Sequence, residues 1–219
     1  MKMSDTMSAK TMDERFNKIL QDADNGDVDA QVIAAMQYDQ GTPKNPEMAC
    51  KYLQLAAAQK HRSAQNVMGH YNEHGIAMDK NPQEAFRFYS MASAQNHSLA
   101  MCNLGRCHYY GIGTDVNYDE AFRLYSACRE LDGLGESDVM DGLGMCYAEG
   151  KGVRKNLKEA VNCFKEGAEW GHAWAQYHLG VCYKKGIGVR ESTTKAIECF
   201  LKAADQGLAQ ANYELQKID

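Results

Sequence analysis

The chain has 219 residues, 44% hydrophobic and 24% charged, with only 3 Pro and 19 Gly, which excludes a disordered or low-complexity protein and leaves material for a sizeable core. A formal net charge of -5 offers no general attraction to a polyphosphate, so nucleic acid is not expected as a partner. No apolar run approaches the ~18 residues a bilayer span requires, so no membrane insertion is expected.

Residues 1–12 are polar and read as a flexible terminus, followed by a helix predicted near 13–23. The start lacks the apolar stretch of a signal peptide, which fits a cytoplasmic chain or one whose leader has been removed. From about residue 27 the sequence becomes periodic. Met68-Gly69 to Gly75, Leu104-Gly105 to Gly111, Leu143-Gly144 to Gly150 and Leu179-Gly180 to Gly186 read alike, their leading glycines spaced by 36, 39 and 36. A second helical pattern follows each, headed by Asn81, Asn117, Asn156 or Ser192, with Ala85, Ala121, Ala160 or Ala196 four residues on. An earlier, less regular copy has Ala34-Ala35 in place of the Leu-Gly pair and a loop two residues shorter before Asn45. The period sets repeats at about 27–61, 62–97, 98–136, 137–172 and 173–208, then a capping helix over 209–218. The third copy carries three extra residues within Cys128–Asp138.

Signals inside one period agree. Asn81, Asn117 and Asn156 are each followed three residues later by Glu, the pattern of a capping box. Pro46 and Pro82 fall at the first helical position, where a missing N–H costs nothing. Apolar residues then return at helical spacing, as in Ala196, Phe200 and Ala203. Gly75, Gly111, Gly150 and Gly186 close the preceding helix, where a left-handed residue is needed. Glycine inside a helix costs about 1 kcal/mol relative to alanine, so Gly69, Gly105, Gly144 and Gly180 imply a close neighbour. The small Ala four after each cap is the expected one. No strand pattern occurs.

The recurring Ala175, Leu179-Gly180, Tyr183, Gly186, Gly188-Val189, followed by Lys195-Ala196, Phe200, Ala203-Ala204 and Gln206-Gly207, resembles the Sel-one-like repeat, a relative of the tetratricopeptide repeat. The resemblance covers roughly residues 26–215. It implies an all-α chain: a right-handed α/α superhelical solenoid of about five helix pairs with terminal helices. It also implies that the first helix of each pair lines a concave face that binds another protein or peptide, as an adaptor or scaffold. In-phase positions on that face include Met36, Asn66, His70, Glu73, His74, Arg106, Tyr109, Tyr110, Asp141, Met145, Glu149, Trp174, Tyr177, Lys184 and Lys185, with Cys102 and Asp138 among the neighbours. Aromatic, Met and Arg side chains are the usual interface anchors. Residues 111–150 hold nine acidic and two basic residues, net -7, and residues 151–219 eleven basic and eight acidic, net +3; this either orients a partner of mixed charge or reflects solvated helix faces. The expected state is a monomer.

Other readings are open at this level. Of eight cysteines, Cys107, Cys146 and Cys182 share one recurring position in the first helix and Cys163 and Cys199 another in the second; recurrence in phase with packing residues favours small buried hydrophobes over a redox or metal role. The disulfide that staples each helix pair in a cysteine-rich secreted branch of the family lacks its partner here, since Ala94 stands eight residues before Cys102; that supports a reducing compartment. His70 and His74 stand at i, i+4 as two metal ligands would, without a third ligand or the Glu of a metalloprotease helix, and no cofactor is expected. A β-lactamase-like hydrolase activity is associated with the cysteine-rich branch, but the one Ser-x-x-Lys run, Ser192-Thr193-Thr194-Lys195, coincides with the head of a repeat's second helix, so no catalytic residue is assigned. Trp170 stands where other copies have Gln59, Gln95 and Gln206 and is expected to be the more exposed tryptophan.

Overall fold

The computed structural model describes residues 3–41, 44–132 and 137–218, which form twelve α-helices and no strand. Two compact units divide the chain, residues 1–100 and 101–219. The first contains α1 (Met3–Asp24), α2 (Val28–Gln40), α3 (Pro46–Ala58), α4 (Arg62–His74), α5 (Pro82–Ser93) and the first turn of α6 (Ser98–Tyr110). The second contains the rest of α6, then α7 (Tyr118–Asp132), α8 (Ser137–Glu149), α9 (Leu157–Glu169), α10 (Ala173–Lys185), α11 (Thr193–Asp205) and α12 (Ala209–Leu215). In the first unit α1 to α5 each pack on the next, and in the second α7 to α12 do so, with Gly105 of α6 against Tyr125 of α7 and α8 also touching α10. The first helix begins ten residues before its expected start. The stretch 128–138 that carries the three extra residues of the third copy includes residues 133–136, which lie outside the described residues.

Helix starts follow from caps. Asn45, Asn81, Asn117 and Asn156 each accept a backbone N–H from the first turn of α3, α5, α7 and α9, at 3.0–3.2 Å. The reciprocal half of the capping box is not used, because Asn81, Asn117 and Asn156 donate their own backbone N–H to the carbonyls of Asn72, His108 and Tyr147 at 2.8–2.9 Å. Glu84 and Glu120 pair instead with Arg87 and Arg123 one turn on, at 2.8 and 2.6 Å. α4, α6 and α10 use a cap that the repeat pattern did not suggest: His61, His97 and His172 accept the N–H of Ala64, Ala100 and Ala175 through Nδ1, where the first copy has Asp27.

The glycine expectation needs correction. Ala85, Ala121, Ala160 and Ala196 are fully buried, but what lies on each helical glycine is an aromatic ring four residues further on. A β-carbon on Gly69 would stand 2.5 Å from Tyr89 Cε1, on Gly105 2.8 Å from Tyr125 and on Gly180 2.7 Å from Phe200, and Gly144 meets Phe164 in the same way. Each pair is a flat ring laid on a bare stretch of helix, and these rings belong to the cores. The first copy shows the complementary solution: Ala35 with the smaller Leu53 at the ring position, both buried.

A polar ladder ties consecutive pairs. Buried Gln31, Gln65 and Gln176 donate to the carbonyls of Ala23, Ala57 and Ala168 at the end of the preceding odd-numbered helix. Each in turn accepts from the Gln that ends its own pair: Gln59, Gln95 or Gln206, at 3.0, 2.8 and 2.9 Å. Where Trp170 replaces that terminal Gln, the buried position is Met140, so both members of the pair turn apolar together.

Candidate functional site

In the second unit, the even-numbered helices α6, α8 and α10 share a face with a groove of about 390 Å³. One wall is α6, with Cys102, Asn103, Arg106 and Tyr110. The other comprises Asp138, Asp141, Gly142 and Met145 of α8, with His172 at the N-cap of α10 and Trp174 and His178 on that helix. Tyr125 of α7 forms the floor. The groove exists at this place because of Gly142. The equivalent position holds Val67, Asn103 or His178 in other copies, and a β-carbon here would stand 2.6 Å from Tyr125 Cζ. Gly142 thus both admits the ring and leaves space above it.

Two imidazole–carboxylate contacts line the α8–α10 side. His178 Nδ1 lies 2.7 Å from Asp141 Oδ1, with Asp141 buried. His172 Nε2 lies 2.7 Å from Asp138 Oδ1. Since His172 Nδ1 accepts the Ala175 N–H, the neutral ring carries its proton on Nε2 and donates it to Asp138. That hydrogen bond holds the Asp138 carboxyl below its ordinary range against the opposing effect of burial, with Arg106 helping. Burial alone would lower His172, but the Asp138 carboxylate outweighs it and moves the imidazole up. Above them Trp174 is 40% exposed and Tyr110 55% exposed, wide apolar faces open to solvent. Tyr110 reaches Met145 Sδ with its hydroxyl at 3.6 Å.

The expected face residues divide. Arg106, Tyr110, Asp141, Met145 and Trp174 come together in this groove, with Cys102 and Asp138. Tyr109, the neighbour of Tyr110, points instead into the core and is 4% exposed; it packs edge-on to Tyr118, with Lys151 5.0 Å from its centroid. Glu149 is exposed and bonded to Lys151 at 2.6 Å. Burial raises its carboxyl, but the Lys151 ammonium and the Tyr109 hydroxyl outweigh that and hold it low. Tyr177 is half-buried between Trp174 and Phe200, each 5.8 Å away. Lys184 is committed to Glu214 of α12 at 2.9 Å, and Lys185 is exposed at the end of α10. The sequence reading passed over His172, His178 and Gly142, although the Gly-Leu-Gly run at 142–144 marks the last of these.

In the first unit, Met36 is exposed on α2 and Asn66 half-buried on α4. His70 and His74 are exposed with ring centroids 4.3 Å apart. Glu73 is a correction: it is 5% exposed and accepts from the Tyr89 hydroxyl at 2.9 Å, so it braces α4 on α5 and does not face solvent. Among the described residues no group of three or more His, Cys, Asp or Glu is placed to hold a metal ion. Seven cysteines are buried and Cys199 half-buried. Burial pushes the thiols of Cys146 to about 12 and of Cys163 and Cys182 to about 11.

The Sel1 repeat signature matches residues 28–61, 62–97, 98–127, 137–172 and 175–208. The chain belongs to the Sel1 repeat family. A Sel1 repeat protein from Oxalobacter formigenes is 33% identical, with a TM-score of 0.76 over 85% of this chain and 74% of that one. A protective antigen present in uropathogenic Escherichia coli strains, which displays the SLR fold, is 25% identical, with a TM-score of 0.73 over 91% of this chain and 43% of that one. A Sel1 repeat protein from Klebsiella pneumoniae, 20% identical with a TM-score of 0.58 over 93% of this chain and 98% of that one, shares the fold. Sel1 repeats are an all-helical solenoid of consecutive helix pairs, and proteins built from them generally mediate protein–protein interaction. Among the described residues no helix is long and apolar enough to cross a membrane.

Proposed function

We propose that this Sel1 repeat protein is a non-catalytic adaptor that binds a segment of another polypeptide along the face of α6, α8 and α10. The observation that carries the reading is the groove over Gly142 and Tyr125, where Trp174 and Tyr110 expose large aromatic faces beside charged side chains. Exposed aromatics around a recess, ringed by polar groups, have the composition of an interaction hot spot. The free thiols of Cys50, Cys146, Cys163, Cys182 and Cys199 support a reducing compartment, the cytoplasm.

The test is selection of peptides from a random displayed library on the wild type, with binding then measured on Tyr110→Ala and Trp174→Ala. Enriched peptides that lose about tenfold or more in affinity on either variant support the reading. Enriched peptides bound equally by both variants place the binding face elsewhere. A hydrolase screen run beside it, with and without His178 replaced by Ala, expects no turnover; histidine-dependent turnover contradicts the non-catalytic part.

A further inference from the structure

Three features of the groove bear on what enters it. First, its lining includes Gly142, where the repeat withholds the side chain that other copies carry and the Tyr125 ring comes up against the bare helix. Second, the recess is walled by flat aromatic surface. Trp174 on α10 and Tyr110 on α6 stand exposed at its rim, and the buried ring of Tyr125 closes it below. Third, its formal charges do not cancel. Asp138 and Asp141, three residues apart on one face of α8, bring two carboxylates, and Arg106 on the opposite wall brings one guanidinium. His172 and His178, each 2.7 Å from one of these carboxylates, are counted here in their neutral form. The lining is left negative within a stretch, residues 111–150, whose net charge is -7.

We propose that the recess over Gly142 accepts an arginine side chain of the partner polypeptide, its guanidinium stacked on Trp174 and Tyr110 and directed to Asp138 and Asp141. This rests on the adaptor reading and names the residue that the α6, α8 and α10 face selects. Arginine fits better than lysine because its planar head stacks on aromatic faces and sheds water more readily than an ammonium. Its aliphatic stem has Met145 to lie against. An acidic or neutral side chain would bring nothing to offset the two carboxylates.

The experiment follows the two tryptophan indole N–H resonances of the full chain by heteronuclear NMR. The probes are acetyl-Ala-Ala-Arg-Ala-Ala-amide and the same peptide with citrulline, which keeps the stem and the planar shape but lacks the charge and has a carbonyl in place of one NH2 donor. The expected result is a saturable shift of Trp174 with the arginine peptide, a still Trp170 as internal control, and binding weaker by about tenfold with citrulline. Asp138→Asn and Asp141→Asn, which keep side-chain volume and so do not depend on refolding of the core, are each expected to weaken the arginine peptide several-fold. Gly142→Val, which fills the recess, is expected to abolish the shift. Citrulline binding as well as arginine, unchanged binding in both Asn variants, or no Trp174 shift up to about 10 mM peptide would overturn the proposal. The adaptor reading fails separately: library peptides that need Trp174 yet carry no basic residue sink the arginine assignment alone, whereas library peptides indifferent to Trp174 and Tyr110 sink the face itself.

Discussion

The side-chain amide of Gln206 donates to the side-chain carbonyl of Gln176 at 2.9 Å, and Gln176 passes its own amide to the Ala168 carbonyl at 3.3 Å. The second acceptor ends α9, so one buried residue joins two successive helix pairs. Replacing Gln176 with Ala removes both bonds, but the Ala168 carbonyl keeps the Gly171 N–H and the Gln206 amide keeps the Gly171 carbonyl, so the cost is that of the lost bonds, about 0.5–1.5 kcal/mol each. Urea unfolding reads this directly. The fourth copy, with Met140 and Trp170, shows that the pair tolerates a joint change. Gln176→Met with Gln206→Trp is therefore expected to be more stable than the sum of the two single variants, a coupling that a double-mutant cycle measures.

Gly180 against Phe200 supplies a second coupling. Alanine at 180 gains about 1 kcal/mol of helix propensity, but its β-carbon lands on the ring, and overpacking of this kind costs about 1–3 kcal/mol, so the net effect is destabilising. Adding Phe200→Leu recreates the Ala35 and Leu53 arrangement of the first copy and is expected to recover part of the loss. Thermal melts of the two singles and the double variant decide it; a double variant worse than additive contradicts the pairing.

Glu214 anchors α12 through Lys184, whose ammonium bond outweighs burial and holds the carboxyl below its ordinary value. A carboxylate depressed in the folded state stabilises above its unfolded value and loses that contribution as pH falls through the folded one. Carbon-detected NMR titration is expected to find Glu214 below the usual glutamate range of about 4.3, returning to it in Lys184→Met. Because both side chains are partly exposed, the associated stability change is at most about 1 kcal/mol and appears only above the acid transition.

The cysteines give a kinetic prediction. With the thiols of Cys146, Cys163 and Cys182 raised to about 11–12, almost no thiolate exists at neutral pH, and burial withholds the sulfur from reagent as well. Ellman's reagent is expected to modify Cys199 first and slowly in native buffer, and these three only on unfolding in guanidinium. Rapid native reaction of Cys146 would contradict the packing.

How much of this was legible before the structure varies with the length scale of the signal. Anything repeated in phase was readable: the helix pairs, the Asn caps, Pro46 and Pro82 at helix starts, and the left-handed Gly75, Gly111, Gly150 and Gly186. Side-chain facing within a turn was less so. Adjacent residues on a helix point about 100° apart, so Tyr110 opens to solvent while Tyr109 is buried, a distinction one phase error erases. Glu73 was misplaced for the same reason, and its buried carboxylate is explained only by Tyr89 arriving from α5. Partners set by another helix, such as Tyr89 on Gly69 or the Asn72 carbonyl that takes the Asn81 N–H from the capping box, depend on packing that no periodicity encodes. The departures from the repeat were visible and informative: Gly142 is a single missing side chain, and the groove sits over it.

The most direct test of the binding face is amide hydrogen exchange of the protein alone and saturated with a library-selected peptide. The account predicts added protection along the even-numbered helices α6, α8 and α10 around Arg106, Asp141 and Trp174, and none on the odd-numbered α7, α9 and α11. Protection confined to the odd-numbered helices, with α8 and α10 unchanged, would contradict it.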